Sequence, residues 1–326
     1  MPDDSLARID ALIARLSLEQ KTRLLTGAAT WTTHAEPAIG LRAMVMSDGP
    51  VGLRDTTGSE EDQAATTPCP TAVAASWDPG LAREIGSLLA AEARRKGVDI
   101  LLAPTINLHR TPLGGRHFEC FSEDPYLTAQ IGGGYVDGLQ RHGVAATIKH
   151  YVANDSETDR FSYEAVIAEQ PLRELYLRPF EDIIAGSRPW LVMAAYNSVN
   201  GPTMTENELL ASPLKSEWGF DGLVVSDWTA VRTTAAAACA ATDLAMPGPH
   251  TPWSAGRLTA AVKAGEVPEQ AVDDKVRRLL RLAARVGALD GVSDAPAGSG
   301  PGGPAPGTGT GTGTEPGAGP GSGQAA

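Results

Sequence analysis

Cysteine is scarce in this chain of 326 residues: Cys69, Cys120 and Cys239 are odd in number, far apart and never in a CxxC pair. That excludes a disulfide framework and a thiolate zinc site, and points to a reduced compartment. Positive charge is also short. A formal charge of −12 repels phosphate backbones and anionic lipid, so neither nucleic acid nor a membrane surface is an expected partner. No run of about 18 apolar residues occurs, and the acidic start MPDDSLARID lacks the basic then apolar order of a secretory leader, so the reading is a cytoplasmic protein. The six histidines form no ligand-spaced set with carboxylates, and the glycine-rich stretch GSGPGGPAPG has no strand or helix after it to cradle a phosphate. No metal and no cofactor are expected.

What the chain does have is an apolar fraction of 42%, enough for a core, arranged in short runs that alternate with helical patterns. AMVMSD, VDILLAPTIN, VAATIKHYVAN, WLVMAAYN and GLVVSDW read as strands buried on both faces, as in a parallel sheet. Between them, Leu81, Ile85, Leu88 and Leu89 are expected to share the buried face of one helix, and Val272, Val276, Leu279 and Leu280 that of another. From residue 291 to 326 the composition turns to Gly, Pro and Thr with almost nothing to bury, which reads as a disordered tail after a folded unit at 1–290.

The strand-like runs share an ending. Each stops on polar groups: Asp48, Asn107, Lys149 with His150, Tyr196 with Asn197, and Asp227. In a (β/α)8 TIM barrel the active site is built from the C-terminal ends of successive strands, whereas an open doubly wound sheet gathers its ligand groups near one switch point. Five such ends favour the barrel, an α/β fold with room for irregular first strands. Asp48, Arg54, Arg116, Lys149, His150, Tyr196, Asp227 and Trp228 then form one constellation of carboxylates, cations and aromatics. That mixture suits a neutral polyhydroxylated ligand, whose hydroxyls both donate and accept and whose apolar ring face packs on an aromatic. Each residue also has a plainer structural reading, such as an Asp48 turn or a buried Trp228, and only their common position after strands raises the functional one.

Six motifs in order, MSDGPVGLR, APTINLHRTPLGGRHFECFSEDPYL, IKHYVAND, LRELYLRPFEDII, VMAAYNSVNG and GFDGLVVSDW, resemble the N-terminal barrel domain of family 3 glycoside hydrolases of the β-glucosidase type. The resemblance implies a retaining β-glycosidase acting on a small β-glycoside or oligosaccharide. By it, Asp227 is the nucleophile that forms a covalent glycosyl-enzyme, kept charged by cationic neighbours. Asp48, with Arg54 and Arg116, holds the far side of the sugar, Lys149 and His150 donate to its middle hydroxyls, Tyr196 orients the nucleophile, and Trp228 flanks the ring. In two-domain relatives the acid/base glutamate comes from a following sandwich domain, and in single-domain relatives a PGHG run supplies a substitute. KHYVANDSETDR has no such run, so the acid/base is expected from a second domain or chain. Glu157 and Asp159 are the local candidates, set against their pairing with Arg160. The alternative is a non-hydrolytic sugar-binding or regulatory relative.

Overall fold

The computed structural model describes residues 2–54 and 63–294. The expected disordered tail lies, from residue 295 on, outside the described residues. Five parallel strands form one curled sheet in chain order: β1 Met46–Asp48, β2 Ile100–Leu102, β3 Ala145–Tyr151, β4 Leu191–Ala194 and β5 Leu223–Ser226. Met46 pairs with Ile100 and Ile100 with Ala145, and on the other side Thr147 pairs with Leu191 and Leu191 with Leu223, with a register shift in β3 between Ile148 and Tyr151. Side chains alternate in direction along a strand. Thus Ile100, Leu191, Met193, Leu223 and Val225 enter one apolar cluster, while Leu101, Ala146, Val192 and Val224 enter another on the opposite face. Both faces are covered, as the unbroken apolar runs predicted.

Beyond β5 the sheet curls on through single bridges. Val225 pairs with Leu244 and Ala245 with Thr26, both parallel, and Thr32 then pairs antiparallel with Val45 just before β1. The hydrogen bonds Gly27 N to Ala245 O (3.0 Å) and Met46 N to Trp31 O (2.8 Å) carry the ring back to its start. The fold is therefore a curled α/β sheet that returns to its start, in keeping with the expected (β/α)8 barrel with irregular first strands, with five regular strands in that sheet among the described residues. Its irregular part is the segment around residues 26–33, which has no strand-like apolar run.

Helices α1 Pro79–Arg95 and α2 Pro125–Gln140 begin on matching signals, an aspartate cap followed by proline: Asp78 accepts from Gly80 N and Leu81 N, and Asp124 from Tyr126 N. α3 Arg178–Ser187 packs beside α2, and α4 Glu269–Arg285 buries Val272, Val276, Leu279 and Leu280, the face read from the sequence. The face of α1 differs from expectation. Leu81 and Leu88 are exposed, and the buried stripe is Ala82, Gly86, Leu89, Ala90 and Ala93. Close approach to α2 explains it, because a Cβ on Gly86 would stand 2.4 Å from Tyr135 O and one on Gly138 would stand 2.2 Å from Arg83 O. Small residues, rather than the largest apolar ones, define that contact.

After α4 the chain stays packed as far as Asp294, whose carboxylate accepts from Arg281 Nε at 3.0 Å and Arg285 Nε at 3.2 Å. Among the described residues, no helix is long and apolar enough to cross a membrane.

Candidate active site

The C-terminal ends of the strands surround a cavity of about 550 Å³. All eight residues of the sequence constellation line it: Asp48, Arg54, Arg116, Lys149, His150, Tyr196, Asp227 and Trp228. Leu102 and Met193, from strand positions facing the enclosed side, lie among them.

Asp48 ends β1 and meets Lys149 of β3, whose Nζ donates to Oδ1 at 2.6 Å, while Arg54 Nε stands 3.4 Å from Oδ2. Burial alone would raise this carboxyl, but Lys149, helped by Arg54 and Arg116, holds it below the ordinary carboxylate range. It is a fixed acceptor.

Asp227 follows β5 directly. Its amide donates to Ala194 O at 2.9 Å, and two residues later Thr229 adopts a left-handed backbone at φ 70°, an unfavourable conformation for a β-branched residue. The chain turns away sharply there, leaving the carboxylate at the cavity wall. Its Oδ1 accepts from Trp228 N at 2.8 Å, whereas Oδ2 is buried with no hydrogen-bond partner among the described residues and lies 3.6 Å from His150 Nε2. The cations were expected to depress this carboxyl. Instead burial raises it above the ordinary range, with Lys149, the Trp228 amide, Tyr196 and Arg116 offsetting only part. The same burial, with Arg116, Lys149 and Arg160, pushes His150 well below its usual value, so its imidazole is neutral at neutral pH.

One wall is a charge network. Arg116 Nη2 binds Glu119 at 2.6 Å, its Nη1 lies 3.6 Å from Glu157, and Arg160 Nη1 binds Glu157 at 2.8 Å. Glu157 is thus held between two guanidinium groups, the plainer of its two readings, and Asp159 is not among the lining residues. Arg160 also lies over the rings of Phe161 and Tyr196, 4.9 and 5.3 Å from their centroids. The opposite wall is a tryptophan pair, with Trp31 and Trp228 5.2 Å apart and Trp228 Nε1 donating to Thr30 O at 2.9 Å.

Trp31, Glu119 and Arg160 line the cavity without having stood in the constellation. Glu119 lies within a motif quoted for the resemblance and Arg160 stands in the sequence reading only as a partner of Glu157 and Asp159, but Trp31 sits in the irregular closing segment, where no periodicity marks it. Two polar strand ends turned inward instead. Asn197 Nδ2 donates to the Val152 and Ser198 carbonyls, and Asn107 binds the backbone of His150.

Among known proteins, residues 10–282 match the glycosyl hydrolase family 3 N terminal domain. Beta-glucosidase B of Emericella nidulans is 46% identical over 285 residues, covering 87% of this chain and 34% of that protein. A beta-glucosidase of Rhizobium radiobacter is 43% identical, over 88% of this chain and 35% of its own length. Beta-glucosidase 3B from Thermotoga neapolitana, solved in complex with glucose, superposes with a TM-score of 0.81 at 37% identity, over 85% of this chain and 42% of that one. The chain therefore spans about a third of the length of the beta-glucosidases it matches in sequence. A match over residues 10–282, with the same fold in the solved relatives, places the chain in glycosyl hydrolase family 3, through the N terminal domain of that family.

Proposed function

We propose that this domain binds the terminal, non-reducing residue of a β-D-glucoside and cleaves it with retention, Asp227 attacking the anomeric carbon to form a glycosyl ester. The observation that carries the reading is the Asp227 carboxylate, which lines a cavity of about 550 Å³ with donors and acceptors suited to a hexose and whose buried Oδ2 has no hydrogen-bond partner among the described residues. A buried oxygen without a partner is costly unless something else occupies its lone pairs. Asp48 accepts from two hydroxyls of the sugar, Lys149 and the guanidinium groups of Arg54 and Arg116 donate, Tyr196 orients the nucleophile, and the Trp31–Trp228 wall packs on the ring.

Retention also requires an acid/base carboxyl about 5 to 5.5 Å from the nucleophile. Among the described residues, Asp48, Glu119 and Glu157 are the other carboxylates of the cavity, and each is tied to lysine or arginine. A group held ionised by cations is a poor proton donor, so we assign the acid/base to residues beyond those described here or to a second domain or chain. The cytoplasm is the proposed compartment, in keeping with three free cysteines.

A dinitrophenyl β-glucoside needs no leaving-group proton, so the chain should give a burst and then stall, with azide restoring turnover; a 2-fluoro glucoside should leave a covalent adduct on the peptide holding Asp227. General acid catalysis contributes roughly 10² to 10⁴ in rate, which is the expected gap between activated and natural glucosides. An adduct elsewhere overturns Asp227 as the nucleophile, whereas sugar binding with neither burst nor adduct leaves the non-hydrolytic sugar-binding reading.

A further inference from the structure

Asn107 is buried beneath the cavity, and its amide has only one workable orientation. Its Nδ2 lies 2.9 Å from the carbonyl oxygen of His150, and its Oδ1 lies 2.8 Å from the backbone amide of the same residue. A backbone N–H can only donate and a backbone carbonyl can only accept, so exchanging the two ends of the amide would break both contacts. That orientation fixes a third one. Oδ1 also stands 3.2 Å from His150 Nδ1, and since Oδ1 carries no hydrogen, Nδ1 must supply it.

Consequences follow at the other end of the ring. A neutral imidazole with its hydrogen on Nδ1 has a bare lone pair on Nε2, and Nε2 faces Asp227 Oδ2 across 3.6 Å. Oδ2 is buried without a hydrogen-bond partner among the described residues, although the Tyr196 hydroxyl also acts on this carboxylate as a side-chain donor. Two acceptors thus look at each other across a gap, and neither satisfies the other. Arg116, Lys149 and Arg160, the cations that act on the ring, oppose a second proton there.

We propose that Asn107 is a positioning residue that holds His150 in the Nδ1–H form, so that Nε2 is an acceptor and, beside Asp227, selects a sugar hydroxyl that donates its one hydrogen to Nε2. The proposal rests on the glycoside reading for its ligand and reverses the donor role that the family resemblance implied for His150. A hydroxyl at that position cannot be exchanged for fluorine, which accepts weakly and donates nothing.

Long-range ¹H–¹⁵N spectra of the full chain labelled in histidine test the first half without any substrate. With His150 assigned through loss of its signals in His150→Gln, its Nε2 should resonate as the bare nitrogen and its Nδ1 as the protonated one. Asn107→Ala should move the population toward Nε2–H, which can then donate to Asp227. Asn107→Asp, which keeps an acceptor for Nδ1–H, should hold the original form even if the alanine variant folds poorly. A wild-type protein in the Nε2–H form, or an aspartate variant that loses the Nδ1–H form, overturns the assignment.

Calorimetric binding of glucose and its monodeoxyfluoro analogues tests the second half. The positions that donate to Asp48 and the one that donates to His150 should each lose about 10- to 100-fold in the wild type, and only the last depends on the tautomer. The loss at the His150 position, and not those at the Asp48 positions, should shrink in Asn107→Ala or, if the alanine variant does not fold, in His150→Gln, whose side-chain amide can also donate. Equal affinity for all analogues overturns the selection while leaving the tautomer in place. A chain that binds none of these sugars defeats the glycoside reading and the selection with it, and the spectra still decide the tautomer.

Discussion

Strand β5 carries a buried aspartate cluster at each end, and the two clusters are treated in opposite ways. At the start of the strand, Asp243 has both oxygens engaged: Lys215 Nζ donates to Oδ1 at 2.7 Å and Val224 N to Oδ2 at 2.8 Å. Its neighbours are equally committed. Lys215 also binds Ala241 O at 2.7 Å, Lys275 binds Ala240 O at 2.9 Å, and Arg278 binds the carbonyls of Phe220 and Gly222. At the far end Asp227 keeps one oxygen unpaired beside a neutral histidine. Charge alone does not distinguish these two ends of the strand; unmet hydrogen-bonding capacity does.

That contrast can be broken most forcefully at the brace. Lys215→Met leaves the Asp243 carboxylate buried without its counter-ion and should lower stability by about 3 to 5 kcal/mol in denaturant melts. Asp227→Asn should do the reverse. Because the folded state raises the Asp227 carboxyl, its ionisation opposes folding once pH exceeds the ordinary carboxylate range, so removing it should leave stability unchanged or higher at pH 7 while abolishing the glycosyl adduct. If both variants destabilise equally, the two ends do not differ as described.

Asp155 sharpens the comparison, because it is a mostly buried carboxyl outside the sugar cavity with one oxygen unpartnered among the described residues. Burial pushes it up to about 7, against Arg110 and the Leu108 amide. The folded state thus binds a proton that the unfolded chain releases near pH 4, so the stabilisation is complete below about 4 and is lost as pH rises through about 7. Between pH 5 and 8 the wild type should lose on the order of 2 kcal/mol that Asp155→Asn retains, measured by urea unfolding at each pH. Parallel pH profiles for the two proteins would remove Asp155 from this account.

Much of the site was legible because a buried strand that stops on a polar group has few reasons to do so. Asp48, Lys149, His150, Tyr196 and Asp227 all followed that rule into the cavity. Asn107 and Asn197 followed the same rule and turned inward, since a strand end offers unpaired backbone as well as a cavity, and an amide side chain can serve either. The closing segment was not legible. Residues 26–33 pair through isolated bridges, so Trp31 sits in no alternating pattern that would announce it. Net proton affinity was equally out of reach, because the sequence displays the cations near Asp227 but not the burial that outweighs them.

The face of α1 fails for a different reason, and it supplies the smallest effects. Periodicity favours the bulkiest apolar residues, yet a helix that must approach another closely turns its small residues inward. Gly86→Ala places a methyl group against the Tyr135 carbonyl and should lower stability by about 1 to 3 kcal/mol. Leu88 is half exposed, at 50%, and removes little apolar surface from water. Leu88→Ala should therefore shift thermal unfolding by no more than about 0.5 kcal/mol equivalent, despite deleting three carbons where Gly86→Ala adds one. A large loss from the leucine would mean that something covers this face of α1, and the comparison between its two sides would have to be drawn again with that cover in place.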